Sequence, residues 1–263
     1  MNTIDIQSLT VGYGKQIVIR DISLSGNIGD IIAIIGANGS GKSTLLKAII
    51  GDVKQQNGNI FFNGINSYDI TTRQRAQIVA CVEQETYASQ MHIYDYVMMG
   101  RTPFRSLFSL TDSDDDRRIV SQALDTVGIA HLANKALAET SGGERRLACI
   151  AKTLVQQPQI LLLDEPTANL DWANKVAIIN LLRTLAQSMC LVIVSHDVNE
   201  VISVANKALV LAEGHSLCFG DAHKTITPEN LSQAYKTDIC EINIDKESRI
   251  MMAKGLLKLK IEN

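Results

Sequence analysis

The most informative stretch of the chain is Ile31-Ile32-Ala33-Ile34-Ile35-Gly36-Ala37-Asn38-Gly39-Ser40-Gly41-Lys42-Ser43-Thr44. Its first five residues are all apolar, which predicts a strand buried on both faces. The rest matches the pattern G-x-x-x-x-G-K-[ST], after a strand and before a helical segment, as that pattern requires. A plain tight turn would need the glycines but neither Lys42 nor Ser43. The stretch therefore predicts a strand, a phosphate-binding loop and a helix, which is half of a βαβ unit.

The residue types of this loop suit the phosphates of ATP. Glycines allow backbone amides to surround an anion, and the N-terminus of the following helix adds positive potential. Lys42 brings a mobile charge to the β- and γ-phosphates, and the Ser43 hydroxyl is a ligand for Mg²⁺. We therefore expect residues 36–44 to bind ATP, with Ser43 also binding Mg²⁺.

Two carboxylates, Asp164 and Glu165, follow the apolar run Ile160-Leu161-Leu162-Leu163. Ligands of α/β sheets bind at the carboxyl ends of the strands, where both acids are expected. We expect Asp164 to orient Mg²⁺ through its water shell, and Glu165 to position and polarise the water that attacks the γ-phosphate. Solvated turn residues are the alternative, which Pro166 and the phosphate loop disfavour.

The remaining pattern predicts an α/β fold with an antiparallel β-layer and an inserted helical subdomain. Apolar strands that alternate with helices are typical of a parallel sheet, and alternating residues near the start predict the antiparallel layer. The predicted segments are strands at residues 3–9, 18–24, 160–163, 191–194 and 239–244, and helices at residues 45–50, 174–187 and 229–235, with mainly helical patterning at residues 86–139.

An acidic run, Asp112-Ser113-Asp114-Asp115-Asp116, precedes apolar residues at helical spacing. Such a run can hold a metal, or it can form the first turn of a helix, where aspartates cap free amides and favour the helix dipole. We interpret it as the start of a helix and not as a metal site.

The composition excludes some classes of partner. A formal net charge of −3 and a pI near 6.0 provide no basic field for nucleic acid. The five cysteines are spaced too widely for a zinc or dithiol motif. The sequence shows neither a signal-peptide pattern nor an apolar stretch that could span a bilayer, so we expect the chain to lie in the cytoplasm.

Further motifs give the chain a family resemblance from about residue 4 to about residue 221. Thr140-Ser141-Gly142-Gly143-Glu144 resembles the Leu-Ser-Gly-Gly-Gln signature of the ABC ATPases. Gln84 resembles the Q-loop glutamine, His196 the switch histidine, Tyr13 the aromatic residue that stacks on adenine, and Ala168-Asn169-Leu170-Asp171 the D-loop. The resemblance implies catalytic roles for Glu165 and His196, nucleotide contacts for Ser141, Gly142 and Gly143, and a link from Gln84 to Mg²⁺ and the helical subdomain.

The signature also implies a second copy. One chain already cradles its nucleotide at residues 36–44, so a second anion-binding helix terminus at Ser141 needs a second nucleotide. A head-to-tail pair, in which each signature contacts the γ-phosphate held by the other chain, satisfies this requirement. Thr140, Glu144, Glu83 and the pair Arg146-Leu147 depart from the usual family pattern but leave Ser141 and the glycines in place.

Val97-Met98-Met99-Gly100-Arg101-Thr102-Pro103 resembles the importers of iron-siderophore, haem and cobalamin chelates. This implies an ATPase domain at residues 1–221, with a helical subdomain at about 86–158, and an appended helix and strands at residues 222–263. The implied partners are permease subunits, docked at residues 87–105, and indirectly an extracytoplasmic substrate-binding protein. The chain would then lie on the cytoplasmic face of the membrane. For Met98 and Met99, packing in the protein core explains the sequence as well as docking of a permease does.

Other classes remain open from the sequence. A soluble single-domain ABC ATPase could act in cofactor or cluster assembly without a membrane partner. A plain P-loop kinase explains neither Ser141 nor His196, and a non-enzymatic switch would need an inert Glu165.

Overall fold

The computed structural model describes residues 2–84, 88–105, 112–244 and 249–256. The strands are β1 (Ile4–Tyr13), β2 (Gln16–Gly26), β3 (Ile31–Gly36), β4 (Gln55–Phe62), β5 (Ile65–Asn66), β6 (Val79–Val82), β7 (Ile160–Asp164), β8 (Cys190–Val194), β9 (Lys207–Ala212), β10 (His215–Asp221), β11 (Ile239–Asn243) and β12 (Arg249–Ala253). The α-helices are α1 (Lys42–Ile50), α2 (Thr72–Ile78), α3 (Ile93–Met98), α4 (Asp114–Thr126), α5 (Gly142–Leu154), α6 (Trp172–Ala186), α7 (Val198–Ile202), α8 (Ala222–Thr225) and α9 (Pro228–Tyr235). Short 3-10 helices occur at Met99–Phe104, Ala130–Leu132, Leu137–Glu139 and Lys254–Leu256.

The chain divides into two compact units. The first comprises Met1–Asp5, Gly26–Gly29 and Ile60–Val192. The second comprises Ile6–Ser25, Asp30–Asn59 and Ile193–Asn263. This division differs from the expected one at residue 221, and the domain boundaries of the sequence analysis stay a prediction.

The first unit combines a parallel strand pair with most of the helices. β6 and β7 pair in parallel, with Val79 opposite Ile160 and Val82 opposite Leu163. Residues 160–163 of β7 are fully buried, as expected for a strand covered on both faces. Helix α5 packs against β6, α3 and α4. This arrangement places the N-terminus of α5 and the carboxyl ends of β6 and β7 in one unit.

The acidic run is the start of a helix, as predicted. Ser113 caps α4 by accepting a hydrogen bond from the Asp116 amide, and three aspartates occupy the first turn. Burial raises the pKa of Asp116, but hydrogen bonds from Arg101 and Ser113 outweigh this effect and hold its pKa below the usual value. Arg101 Nε lies 2.6 Å from Asp116 Oδ1 and its Nη1 donates to the Val155 carbonyl. The run therefore anchors α4 to the region of Arg101.

The second unit contains a mixed sheet with strand order β4-β1-β2-β10-β9-β3. β3 is buried at all six positions and pairs in parallel with β9, while β9 and β10 are antiparallel. β1 and β2 are neighbours joined by Gly14 and Lys15, so they form an antiparallel hairpin. The predicted α/β class and the antiparallel layer are both found.

The tail contains the predicted helix as α9 and the predicted strand as β11, which forms an antiparallel pair with β12. Arg249 fastens this pair, because its guanidinium contacts Glu241 Oε2 at 2.9 Å and donates to the His223 carbonyl at 2.9 Å. Residues 245–248 and 257–263 of the predicted tail segment lie outside the described residues. Across the described ranges, no helix is both long and apolar enough to cross a bilayer.

Candidate active site

The phosphate loop in the second unit depends on glycine. Gly39 and Gly41 have φ angles of +78° and +101°, in the left-handed region that favours glycine. A Cβ atom on Gly36 would lie 2.3 Å from the Leu211 carbonyl oxygen, and one on Gly41 would lie 2.2 Å from Ile19 Cγ2. The loop therefore needs glycine for its conformation and for its close packing on the sheet. Helix α1 begins at Lys42, three residues before the predicted start.

Lys42 holds the loop together from inside. Its side chain is buried, and Nζ donates to the carbonyl oxygens of Gly36 and Ala37 at 2.7 and 3.0 Å. Ser43 is exposed in the first turn of α1. Ser40 Oγ is buried, with no hydrogen-bond partner within the described part of the chain. A lysine ammonium, a free hydroxyl and the N-terminal amides of α1 together suit a phosphate group.

Asp164 and Glu165 lie at the carboxyl end of β7, as predicted. Asp164 is half-buried, whereas Glu165 is only 5% exposed. Glu165 also has a φ of +50°, an unusual backbone conformation for a glutamate. Strain of this kind persists only where the surroundings hold it, and it is concentrated at functional positions. The geometry of Glu165 is consistent with a catalytic residue.

The predicted metal ligands have the right chemistry for Mg²⁺. Ser43 and Asp164 offer hard oxygen atoms, and Gln84 adds an amide oxygen. Within residues 2–84, 88–105, 112–244 and 249–256, no group of three or more His, Cys, Asp or Glu side chains could hold a metal. The assignment of Ser43, Gln84 and Asp164 to Mg²⁺ stays a prediction.

Arg146 brings Gln84 and Glu165 together in the first unit. Its guanidinium donates to the carbonyls of Glu83, Gln84 and Glu165 at 2.6, 2.7 and 3.3 Å. The sequence analysis mentions Arg146 only as a departure from the family pattern. Arg146 is buried in α5 together with Gly143, Ala148 and Ile150, and its place among these small and apolar residues is the signal that could have identified it as a buried contact. Residues 85–87, which follow Gln84, lie outside the described residues.

The signature residues form the start of α5. Ser141 is the N-cap: its hydroxyl accepts from the Glu144 amide at 3.2 Å, and Glu144 Oε2 accepts from the Ser141 amide at 2.7 Å. This reciprocal capping box explains Glu144, and the S-x-x-E spacing could have predicted it. A Cβ on Gly143 would lie 2.6 Å from Asn174 Cγ, so the signature packs directly on α6. Ser141 and Gly142 remain exposed.

Glu144 should make the stability of the chain depend on pH. Hydrogen bonds from the backbone and side chain of Ser141 hold the pKa of Glu144 below its usual value. The stabilisation is then complete above the ordinary glutamate pKa and is lost as the pH falls through the lowered value. We expect Glu144→Ala to cost about 1 kcal/mol of unfolding free energy at pH 7, and less at about pH 3.

Urea unfolding at several pH values measures this difference. Glu229→Ala is the matched control, because Glu229 is exposed in the first turn of α9. A cost of Glu144→Ala that stays constant down to acid pH would contradict the capping assignment.

Tyr13 and His196 lie in the second unit. Tyr13 ends β1 and is 51% exposed, which leaves its ring available for stacking. His196 is exposed two residues after the end of β8. It lies between Ser195, which is buried, and Asp197, whose side chain caps α7. Both residues therefore present their side chains to solvent, and their roles stay predictions.

Comparison with known proteins identifies the family. Residues 19–168 match the ABC transporter family. The chain is 34% identical over 241 residues to the iron(3+)-hydroxamate import ATP-binding protein FhuC of Bacillus subtilis, covering 90% of this chain and 89% of FhuC. It is 30% identical to the hemin import ATP-binding protein HmuV of Bordetella pertussis, covering 89% and 92% of the two chains.

A solved structure of a metal-chelate type ABC transporter, in an inward-facing conformation, contains a chain of the same fold. It aligns with a TM-score of 0.84 and 30% identity, and covers 98% of this chain and 100% of that chain. The cbiO1 protein of Clostridium perfringens, part of the ABC transporter complex cbiONQ, aligns with a TM-score of 0.75 and 27% identity, covering 85% and 90% of the two chains. The chain thus belongs to the ABC transporter family and is one of its ATP-binding, ATP-hydrolysing subunits.

Proposed function

We propose that this ATPase drives uptake of a metal chelate, such as a ferric siderophore, haem or cobalamin, through a partner permease. The observation that carries the proposal is near full-length similarity to the hydroxamate and hemin import subunits and to the metal-chelate type transporter. An extracytoplasmic substrate-binding protein would deliver the chelate to the permease. The ATPase itself would act from the cytoplasmic face of the membrane.

Residues 36–44 would bind the phosphates of ATP. Lys42 would turn its ammonium from the carbonyls of Gly36 and Ala37 to the β- and γ-phosphates, and the loop amides would donate to phosphate oxygens. Mg²⁺, bound with Ser43, Asp164 and Gln84 as protein ligands, would neutralise charge on the phosphates. Tyr13 would stack on the adenine ring.

Glu165 would act as the residue that orients and polarises the attacking water. Because it is buried, its carboxylate would act on the water with little screening by solvent. His196 would contact the γ-phosphate and the same water. These roles make hydrolysis a matter of positioning and electrostatics, as phosphoryl transfer requires.

Two copies would close head-to-tail on ATP. The exposed Ser141 and Gly142 at the start of α5 leave an anion-binding helix terminus accessible to the nucleotide of a second chain. ATP then stabilises the closed pair because it binds that pair better than the separate chains, and hydrolysis removes this stabilisation.

The permease would dock beside the Gln84 segment. A cavity of about 350 Å³ opens in the first unit, and a helix end of the permease could place a side chain in it. Met98 is buried, whereas Met99 is 47% exposed and would be available to the permease. Tyr87, the first residue of the expected docking region, lies outside the described residues. The cavity is lined by Cys81, Val82, Glu83, Tyr96, Cys149, Lys152, Thr153 and Gln156.

Affinity purification of the chain from detergent-solubilised membranes tests the proposal. A multi-span permease should co-purify in equal amounts. The matched variant Met99→Glu places a charge on the exposed docking region and should reduce the recovered permease at least about 10-fold, since an unpaired charge is costly at an apolar contact. Recovery of the chain only in the soluble fraction, with its ATPase activity intact, would favour the assembly-factor alternative.

A further inference from the structure

Arg146 directs a buried cation at backbone carbonyls from two distant segments. The side chain is only 4% exposed, and its three acceptors belong to Glu83, Gln84 and Glu165. The first two carbonyls follow β6, and the third follows β7. Hydrogen bonds from a charged donor are stronger than neutral ones, particularly when they are shielded from water. Arg146 therefore fixes the distance between the backbone of residues 83–84, called the Gln84 segment here, and the backbone of Glu165.

The Glu165 contact acts on a strained residue. A glutamate with a φ of +50° is held in place only by its surroundings, and the hydrogen bond to its carbonyl oxygen is one such restraint. A small displacement of a residue that positions a reacting water lowers the rate strongly, whereas it need not change how tightly ATP binds.

The Gln84 contact leads to the cavity beside that segment. Glu83, whose carbonyl accepts from Arg146, lines the cavity together with Tyr96 and Cys149. The Tyr96 hydroxyl lies 3.2 Å from Cys149 Sγ. Cys149 follows Arg146 by one helical turn on α5. Arg146 thus lies between the cavity wall and the backbone of Glu165.

We propose that Arg146 is a positioning residue for hydrolysis: it aligns Gln84 and Glu165, so that a movement of the cavity wall changes the alignment of the catalytic carboxylate. This inference rests on the proposed function, because it takes Glu165 as the residue that activates water and the cavity as the permease contact.

The test uses the full chain with Arg146→Met, which removes the charge and the donors, and Arg146→Lys, which keeps the charge. We expect Arg146→Met to lower kcat by about 10- to 100-fold, while the Kd for ATP changes by less than about threefold. Arg146→Lys should restore part of kcat, because it keeps a charged donor at the same place. Arg183→Met, on the exposed face of α6, is the control for a lost arginine.

A double-mutant cycle tests the link to Gln84. If Arg146 aligns Gln84 with Glu165, Gln84→Ala should cost much less in the Arg146→Met background than in the wild type. Independent effects of the two changes would overturn the link.

Two further outcomes would overturn the proposal itself. One is a fall in kcat of Arg146→Met that merely follows the fraction of folded protein in a thermal melt. The other is an Arg146→Lys variant that folds and behaves like Arg146→Met. Neither concerns the proposed function, which fails instead if the wild type binds no permease or if Glu165→Gln hydrolyses ATP normally.

Discussion

The Glu165→Gln variant should bind ATP but hydrolyse it about 10²- to 10⁴-fold more slowly than the wild type. The amide has nearly the same shape as the buried carboxylate, so the fold should survive. It lacks the negative charge that would polarise the attacking water, so the step that consumes ATP should be slowed. Since ATP would stabilise the closed pair under the proposed function, the variant should accumulate as an ATP-bound dimer.

Phosphate release and analytical ultracentrifugation measure these two effects. The chain also offers an internal reporter: Trp172, its single tryptophan, is 86% exposed directly after the D-loop segment. Its emission should change when ATP is added to Glu165→Gln. Glu229→Gln makes the same chemical change on the exposed surface and should leave turnover unchanged. Rapid turnover in Glu165→Gln would remove Glu165 from the catalytic role.

The Lys42→Ala variant should lose measurable ATP binding. In the proposed site Lys42 would supply the charge for the β- and γ-phosphates, and each hydrogen bond to a charged group is worth about 1.5–3 kcal/mol. Two or more such contacts correspond to a loss of affinity of at least about 10²-fold. Removal of Nζ also ends its hydrogen bonds to Gly36 and Ala37, which leaves the empty loop less ordered.

Isothermal titration calorimetry with ATP measures this loss, and a melt with and without ATP gives a second measure. The wild type should show a rise in Tm with ATP that Lys42→Ala does not show. Lys47→Ala is the matched control, since Lys47 is exposed in the last turn of the same helix. Retained affinity in Lys42→Ala would show that the loop is not the phosphate site.

Local sequence was a reliable guide to individual elements. Strands predicted at residues 160–163 and 191–194 are found as β7 and β8, and the acidic run is the first turn of α4. These elements are set by short-range periodicity and capping, which are visible within a few residues. The sequence analysis did not assign the strands β4, β5, β6, β9, β10 and β12.

The site shows the same contrast. Glycines, Lys42 and the acid pair were predicted because phosphate chemistry demands those residue types at close spacing. The capping role of Glu144 was missed, although the S-x-x-E capping motif is local. Glu144 was considered only as a replacement of the glutamine in the family signature. Roles that were assigned from the resemblance, such as those of Tyr13 and His196, stay predictions.

By itself, the sequence determined the glycine-rich loop, the place of the acid pair at the end of an apolar strand and the α/β class, since each depends on neighbours along the chain. Only the tertiary structure revealed that Arg146 joins the carbonyls of Gln84 and Glu165, which lie 62 and 19 residues away along the chain. It also placed Met98 in the core and Met99 at the surface. The physical reason is that packing of α5 against β6 and α3 decides which side chains are buried and which distant carbonyls they meet.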